Sequence, residues 1–151
     1  MYPKTHILIG GIISLLLYSI FNITLFQSVL VFLASFLIDV DHYLYYILVK
    51  KDINLKNSYA WFVKRRIKWL SYERNIRKKF KNPILILHGF EFWTILVILS
   101  YMNDLFIWIS IGIGIHMVLD YIDLIYLNIP LYSKISQIYT YYKNQDKEPL
   151  N

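Results

Sequence analysis

From Thr5 to Ile38 the chain carries no Asp, Glu, Lys or Arg. A run of this length is too long for a cleaved signal peptide, and no small-residue cleavage site closes it. It is long enough for two short membrane spans. The polar break Asn22-Ile23-Thr24 divides it, predicting one helix over about 5–21 and a second over about 25–42. Hydrophobic residues make up 57% of the 151 residues and charged residues only 17%. Soluble domains sit nearer 45–50% and about 25%, so the excess points to a surface that faces lipid.

The second half repeats the pattern. Apolar sequence resumes at Ile84 and runs to Tyr101, Met102-Asn103-Asp104 form a polar turn, and a last apolar run spans 105–127. The expected architecture is all-α: a four-helix transmembrane bundle built from two helical hairpins joined by a basic loop over 43–83. Residues 1–142 form one integral membrane domain, and 143–151 form a polar tail. The loop holds twelve of the sixteen Lys and Arg residues, with only Asp52 and Glu73 against them. The two short turns opposite hold no Lys or Arg. The positive-inside bias therefore predicts a cytoplasmic loop and two cytoplasmic termini in a multi-pass cell-membrane protein.

Val63, Ile67 and Leu70 recur in the loop at helical spacing, with Lys64, Arg65, Arg66 and Lys68 between them. This fits either a helix lying on anionic headgroups or a solvated basic loop that only sets topology. Ser14, Ser19, Ser35 and Ser110 read as interhelical hydrogen bonders rather than nucleophiles. No phosphate-binding glycine loop or Gly-x-Ser-x-Gly motif is present.

On this topology the ionisable residues gather at one membrane face. His6 opens the first helix. Asp39, Asp41 and His42 lie where the second reaches the cytoplasm. His88 and Glu91 lie where the third leaves it, and His116, Asp120 and Asp123 come late in the fourth. All four histidines belong to this set. An Asp at the centre of a membrane helix costs about 2.5–3.5 kcal/mol on insertion scales, and crowded carboxylates repel. A cation neutralises them. His116 and Asp120 (i,i+4), His88 and Glu91 (i,i+3), and Asp39 and His42 (i,i+3) each share a helix face. Asp41 lies off the Asp39/His42 face and needs a local break to join it. Helical bundles build metal sites from such pairs on facing helices. With no cysteine, any metal is held by His, Asp and Glu, a set that suits zinc, manganese or iron.

Thr5-His6 with Gly10, Asp39-Val40-Asp41-His42, a His opening the third helix, and Gly112-x3-His116-x-x-Leu119-Asp120 together resemble a family of membrane-bound metal-dependent hydrolases of bacteria and archaea. The likeness covers most of the chain except the basic loop and the tail. More distantly, the paired residues are similar to those of zinc-dependent phospholipases C. The resemblance implies a divalent metal, most readily zinc, and a hydrolytic activity. By position it assigns His6, Asp39, Asp41, His42, His88, His116 and Asp120 to the site. The chain departs from the family pattern at Ile38, where Pro is usual. It departs again before His88, where Ile84-Leu85-Ile86-Leu87 lacks the usual leading His, Arg and Thr. Glu91 is the candidate replacement ligand.

On this reading His6, His88, His116 and Asp120 are the first metal ligands. Asp39 and His42 complete that shell or hold a second ion, and Asp41 or Glu91 is the general base. The substrate is a phosphoester or ester, in a lipid headgroup or reaching the interface from solution. Arg65, Arg66 or Lys68 would hold a phosphate if the loop folds back. The partners implied are membrane lipids and that substrate, with no nucleic acid. Two rivals follow: a non-catalytic membrane module that binds a metal or a partner, and a b-type haem protein using the histidines in pairs.

Overall fold

A computed structural model describes residues 3–150. Among these the protein is helical, with one isolated β-bridge between Phe80 and Glu148. The turn of the first hairpin forms where the sequence predicts. Helix α1 spans Pro3–Phe21 and α2 spans Leu25–Leu37. Asn22 takes a left-handed conformation (φ 53°) that stops α1. Thr24 then opens α2 with a reciprocal cap: its hydroxyl accepts from the Gln27 amide and the Gln27 side chain accepts from the Thr24 amide, satisfying two donors that helix geometry leaves orphaned.

The predicted second helix does not end at residue 42. It breaks at Ile38–Asp39, where Asp39, Asp41 and His42 amides bond carbonyls three residues back. It then continues as α3, Val40–Lys50. This is the local break that Asp41 needs to turn toward the other polar residues. Together α2 and α3 form one span of 26 residues, Leu25–Lys50.

The second hairpin departs further from expectation. In place of a helix over 84–101 there is a 3-10 turn at Ile86–His88, an extended Gly89, and helix α6, Phe90–Leu99, which is 10 residues long. At about 1.5 Å per residue α6 reaches half the thickness of a bilayer core. The reason is visible in the backbone donors. The Leu85 amide bonds the Gln137 side chain and the Leu87 amide bonds Asp41, so neither is available to a helical ladder. The last long helix, α7, runs Leu105–Tyr126. Among the described residues, three helical segments are long and apolar enough to cross a membrane: α1 (Pro3–Phe21), the α2–α3 span (Leu25–Lys50) and α7 (Leu105–Tyr126).

The predicted loop is mostly helical. Helix α4 spans Leu55–Ser71 and is followed by the short α5, Arg74–Arg77. Asn54 caps α4 through its side chain. The Asp52 carboxylate ties the α3–α4 joint to the Tyr46 hydroxyl, the Asn54 amide and the Asn57 side chain. These bonds, the Tyr46 hydroxyl first, hold the Asp52 carboxyl below its ordinary pKa. On α4, Ile67 and Lys64 face outward while Arg65 and Arg66 turn in. Arg65 donates to the Leu150 and Lys81 carbonyls, and Arg66 grips both oxygens of Asp123 on α7. The basic run thus pins the loop to the bundle.

The chain ends in two short helices, α8 (Tyr132–Ile135) and α9 (Gln137–Lys143), and a docked tail. The tail residue Leu150 is buried, and Glu148 exchanges backbone hydrogen bonds with Lys79 and Lys81.

Helix α7 is the centre of the bundle, packing against α1, α2 and α6, with its most extensive contact to α2. That contact needs Gly112. A Cβ there would collide with the Val31 carbonyl and lie 2.7 Å from the Ala34 Cβ. Among the described residues the distribution of polarity is inverted relative to a soluble domain. His6, His88 and His116 are buried completely or nearly so, while Leu8, Leu15, Phe21 and Ile125 are exposed. Contiguous exposed apolar surface of this extent is what a lipid-facing bundle presents. The serines behave differently from expectation. Ser14, Ser19, Ser35 and Ser110 bond carbonyls of their own helices, a local alternative open to any helical serine. The serine that reaches across is Ser28, bonding the Ser14 carbonyl.

Candidate metal centre

The close α2–α7 approach fixes the first side chain of the site. One turn beyond Gly112, the His116 Nδ1 lies 2.8 Å from the Ser35 carbonyl of α2. A carbonyl only accepts, so this nitrogen carries the proton and Nε2 is left as a bare lone pair. The break in the second span fixes the next. Asp41 Oδ2 lies 3.0 Å from His88 Nδ1 and also accepts from the Leu87 amide. His88 Nδ1 is the donor here too, and its Nε2 is likewise bare. The two Nε2 atoms face each other at 3.0 Å. With both rings neutral, two lone pairs would face each other, and they rest at that distance only with a proton or a metal ion between them.

Further groups converge on the same point. Asp120 Oδ2 is 3.3 Å from His116 Nε2 and 3.7 Å from His88 Nε2. Asp39 Oδ1 is 3.4 Å from His88 Nε2, 3.7 Å from His116 Nε2 and 3.6 Å from His42 Nε2. His6 stacks on His116 with ring centroids 3.8 Å apart and places Nε2 3.4 Å from Asp120 Oδ1. Three overlapping triads result: His6/Asp39/His116, Asp39/His42/His88 and His88/His116/Asp120, each with its ligand atoms within 4.8 Å of one another. Both His6 ring nitrogens and Asp39 Oδ2 are buried without a hydrogen-bond partner. Buried polar atoms are rarely left so unless an ion or water serves them. The donor set therefore fits a metal: bare imidazole nitrogens and carboxylate oxygens on one point, with the far nitrogens of His88 and His116 held by protein acceptors, as metal-ligating histidines usually are.

The cluster unites His6, Asp39, His42, His88, His116 and Asp120, as the sequence predicts. Asp41 joins it through Oδ2, which bonds the His88 ring and the Leu87 amide, while its Oδ1 is buried without a hydrogen-bond partner. Glu91, expected as ligand or base, lies elsewhere. Its carboxylate accepts from the Ser136 hydroxyl and from the Gln137 and Ile138 amides, closing the N-terminus of α9. The shared face with His88 never forms, because His88 precedes the helix on which Glu91 sits. Asp123, grouped with the others on the sequence, pairs instead with Arg66.

One member is not foreseen by the sequence pattern. Lys134, on α8, places Nζ 2.6 Å from Asp120 Oδ2 and 3.4 Å from His42 Nε2. It is the only Lys or Arg between Pro83 and Tyr142, and that isolation was the available signal. Beside the cluster lies a cavity of about 320 Å³ reached by Asp39, His42, Asp120 and Lys134, with α4 as its opposite wall. The His88 and His116 Nε2 atoms, 3.0 Å apart, lie too close together to ligate one haem iron from its two faces. In comparisons with protein-family models, with curated proteins and with solved structures, nothing matches this chain.

Proposed function

We propose that the protein is a membrane-embedded, divalent-metal-dependent hydrolase with its site at the cytoplasmic face, acting on a phosphoester or ester. The observation that carries this reading is the pair of bare Nε2 atoms of His88 and His116 at 3.0 Å, flanked by Asp39 and Asp120. The residue pattern's resemblance to membrane-bound metal-dependent hydrolases supports it. So does the excess of basic residues in the segment holding α4, which the positive-inside bias puts in the cytoplasm.

His6, Asp39, His42, His88, His116 and Asp120 would hold the metal. Six donors exceed the four of a tetrahedral zinc site and leave room for a second ion. Zinc suits the imidazole-rich set best. When bound, a divalent ion lowers the pKa of its water toward neutrality and polarises an ester oxygen. The chain's own groups do the rest. Asp39 borders the cavity and has one uncommitted oxygen, Oδ2. It replaces Asp41 and Glu91 as the group that takes the water's proton. Asp41 keeps His88 oriented, and Lys134 faces the cavity as a donor to an anionic substrate.

The test is elemental analysis of the detergent-purified protein beside a His116→Ala/Asp120→Ala variant. A stoichiometric divalent metal, lost in the variant, is the expected result. Absence of metal from both, after zinc and manganese have been supplied, sinks the reading.

One observation favours a second reading. The Lys134 ammonium already neutralises Asp120, as it would in a module that holds its acids without turnover. A metal-loaded protein inactive on a broad panel of phosphoesters and esters would favour that module.

A further inference from the structure

The cavity beside the cluster says more about the substrate than the cluster does. Its walls are apolar: Phe62, Val63 and Trp69 on α4 face Leu85 and Leu124. Its charges are uneven. Arg65, Arg66, Lys81 and Lys134 line it against the carboxylates of Asp39, Asp120 and Asp123. A divalent ion on the cluster would tip that balance further toward positive. With a divalent ion on the cluster, the end beside Lys134 would be suited to an anion, and the apolar side chains of the lining offer a surface to hydrocarbon. At about 320 Å³ it lies at the small end of ligand cavities, which run from about 300 to 1,000 Å³. There is room for one apolar tail.

Resting on the proposed hydrolase function, we infer that the cavity binds a phosphate ester of a single-tailed amphiphile. The phosphate meets Lys134 and the metal cluster, and the tail lies between α4 and α7 along Phe62, Val63, Trp69 and Leu124. Lys134 is the group that chooses an anionic headgroup, because its ammonium lies at the junction of the polar floor and the apolar wall. It swings from Asp120 to a phosphate oxygen when the cluster is metal-loaded. The walls choose the tail. A free phosphate or a small soluble phosphoester shares the head interaction and forfeits the wall. What the tail adds is mainly the removal of its own apolar surface from water.

The experiment uses the full chain, zinc-loaded, in nanodiscs of zwitterionic lipid. Probes are dodecyl phosphate, a terminally brominated dodecyl phosphate, phenyl phosphate and inorganic phosphate. Bromine on the tail quenches a neighbouring indole, so the brominated probe should quench emission saturably, and Trp69→Phe should remove that saturable part. Dodecyl phosphate should bind at least about tenfold tighter than inorganic phosphate. Val63→Phe, which narrows the cavity, should erase that advantage and leave inorganic phosphate unaffected. Ile67→Phe, on the exposed side of the same helix, should change neither.

Equal binding of dodecyl and inorganic phosphate overturns the inference, as does saturable quenching that persists in Trp69→Phe. Equal weakening by Val63→Phe and Ile67→Phe overturns it too. The two readings fail separately. If the unsubstituted protein takes up no zinc or manganese yet saturable Trp69 quenching by the brominated probe survives, the chamber stands without the hydrolase. If metal is present and phosphoesters are cleaved without preference for a tail, the hydrolase stands without the chamber.

Discussion

The two hairpins look alike on the sequence and differ in space. Each is a pair of apolar runs around a short polar turn. The first becomes two long helices, α1 and the α2–α3 span, joined by a capped turn. The second becomes one long helix, α7, and a helix of 10 residues preceded by a turn. Each nevertheless gives three side chains to the cluster: His6, Asp39 and His42 from the first, His88, His116 and Asp120 from the second. The difference lies in how they are held. In the first hairpin His6 and His42 ride on helices, and Asp39 sits at the break between α2 and α3. In the second, His88 rides on a short turn whose backbone and ring are both fixed by Asp41. A regular helix positions a ligand by its own ladder, whereas an irregular segment needs a partner to do so.

The interface that joins the hairpins should be the most sensitive point. Gly112→Leu forces α2 and α7 apart against the Val31 carbonyl. It should cost about 3 kcal/mol or more, beyond ordinary overpacking because backbone must move. Gly10→Ala, where a Cβ meets only the Ser35 side chain, should cost less, with improved helix propensity offsetting part of it. Thermal unfolding in detergent measures both, and equal losses would show that the α2–α7 contact is not special.

Next in size is the tether of His88. Asp41→Asn should weaken metal binding by about 10–100-fold, the usual effect of removing a partner behind a ligating histidine. The fold should persist. If metal affinity is unchanged, the turn is held by something other than Asp41.

Lys134→Met removes a cation that competes for Asp120 at 2.6 Å. Metal affinity should rise by about tenfold, while affinity for dodecyl phosphate falls. A drop in metal affinity would mean that the lysine supports the cluster rather than competing with it. Acid should weaken metal binding in either protein, because an imidazole that has gained a proton on its ligating nitrogen no longer offers a lone pair.

The smallest effect belongs to the α3–α4 joint. The Asp52 carboxyl is held below its ordinary pKa by Tyr46, Asn54 and Asn57. A depressed carboxyl contributes stability that is present above its unfolded value of about 3.9 and is lost as pH falls through its folded value. Asp52→Asn should flatten the dependence of melting temperature on pH in the acid range and leave the cluster untouched. An unchanged slope would show that the joint carries no linked proton.

Much of this is legible in the sequence because it is local. The end of α1 and the starts of α2 and α7 follow from apolar runs and polar breaks. The His116/Asp120 and Asp39/His42 pairs follow from helical spacing. The same rule fails for His88 and Glu91, because spacing speaks for a shared face only where a helix exists. At 84–89 the backbone donors are taken by Asp41 and Gln137, residues 46 and 52 positions away. The basic loop hides its docking for a like reason, since nothing near Arg66 in sequence foretells Asp123.

The sequence by itself determined that this chain has apolar spans, that its histidines and many of its acids fall within or beside them, and that it offers no cysteine thiolate. These are properties of order along the chain, set by hydrophobicity and helical period. Only the tertiary structure decided that Asp41 bonds the His88 ring and the Leu87 amide, that Glu91 closes α9, that Lys134 enters the cluster, and that α4 walls a cavity beside it. Each of these rests on a contact between distant residues, and such contacts are settled by which buried donor finds which acceptor once the helices pack.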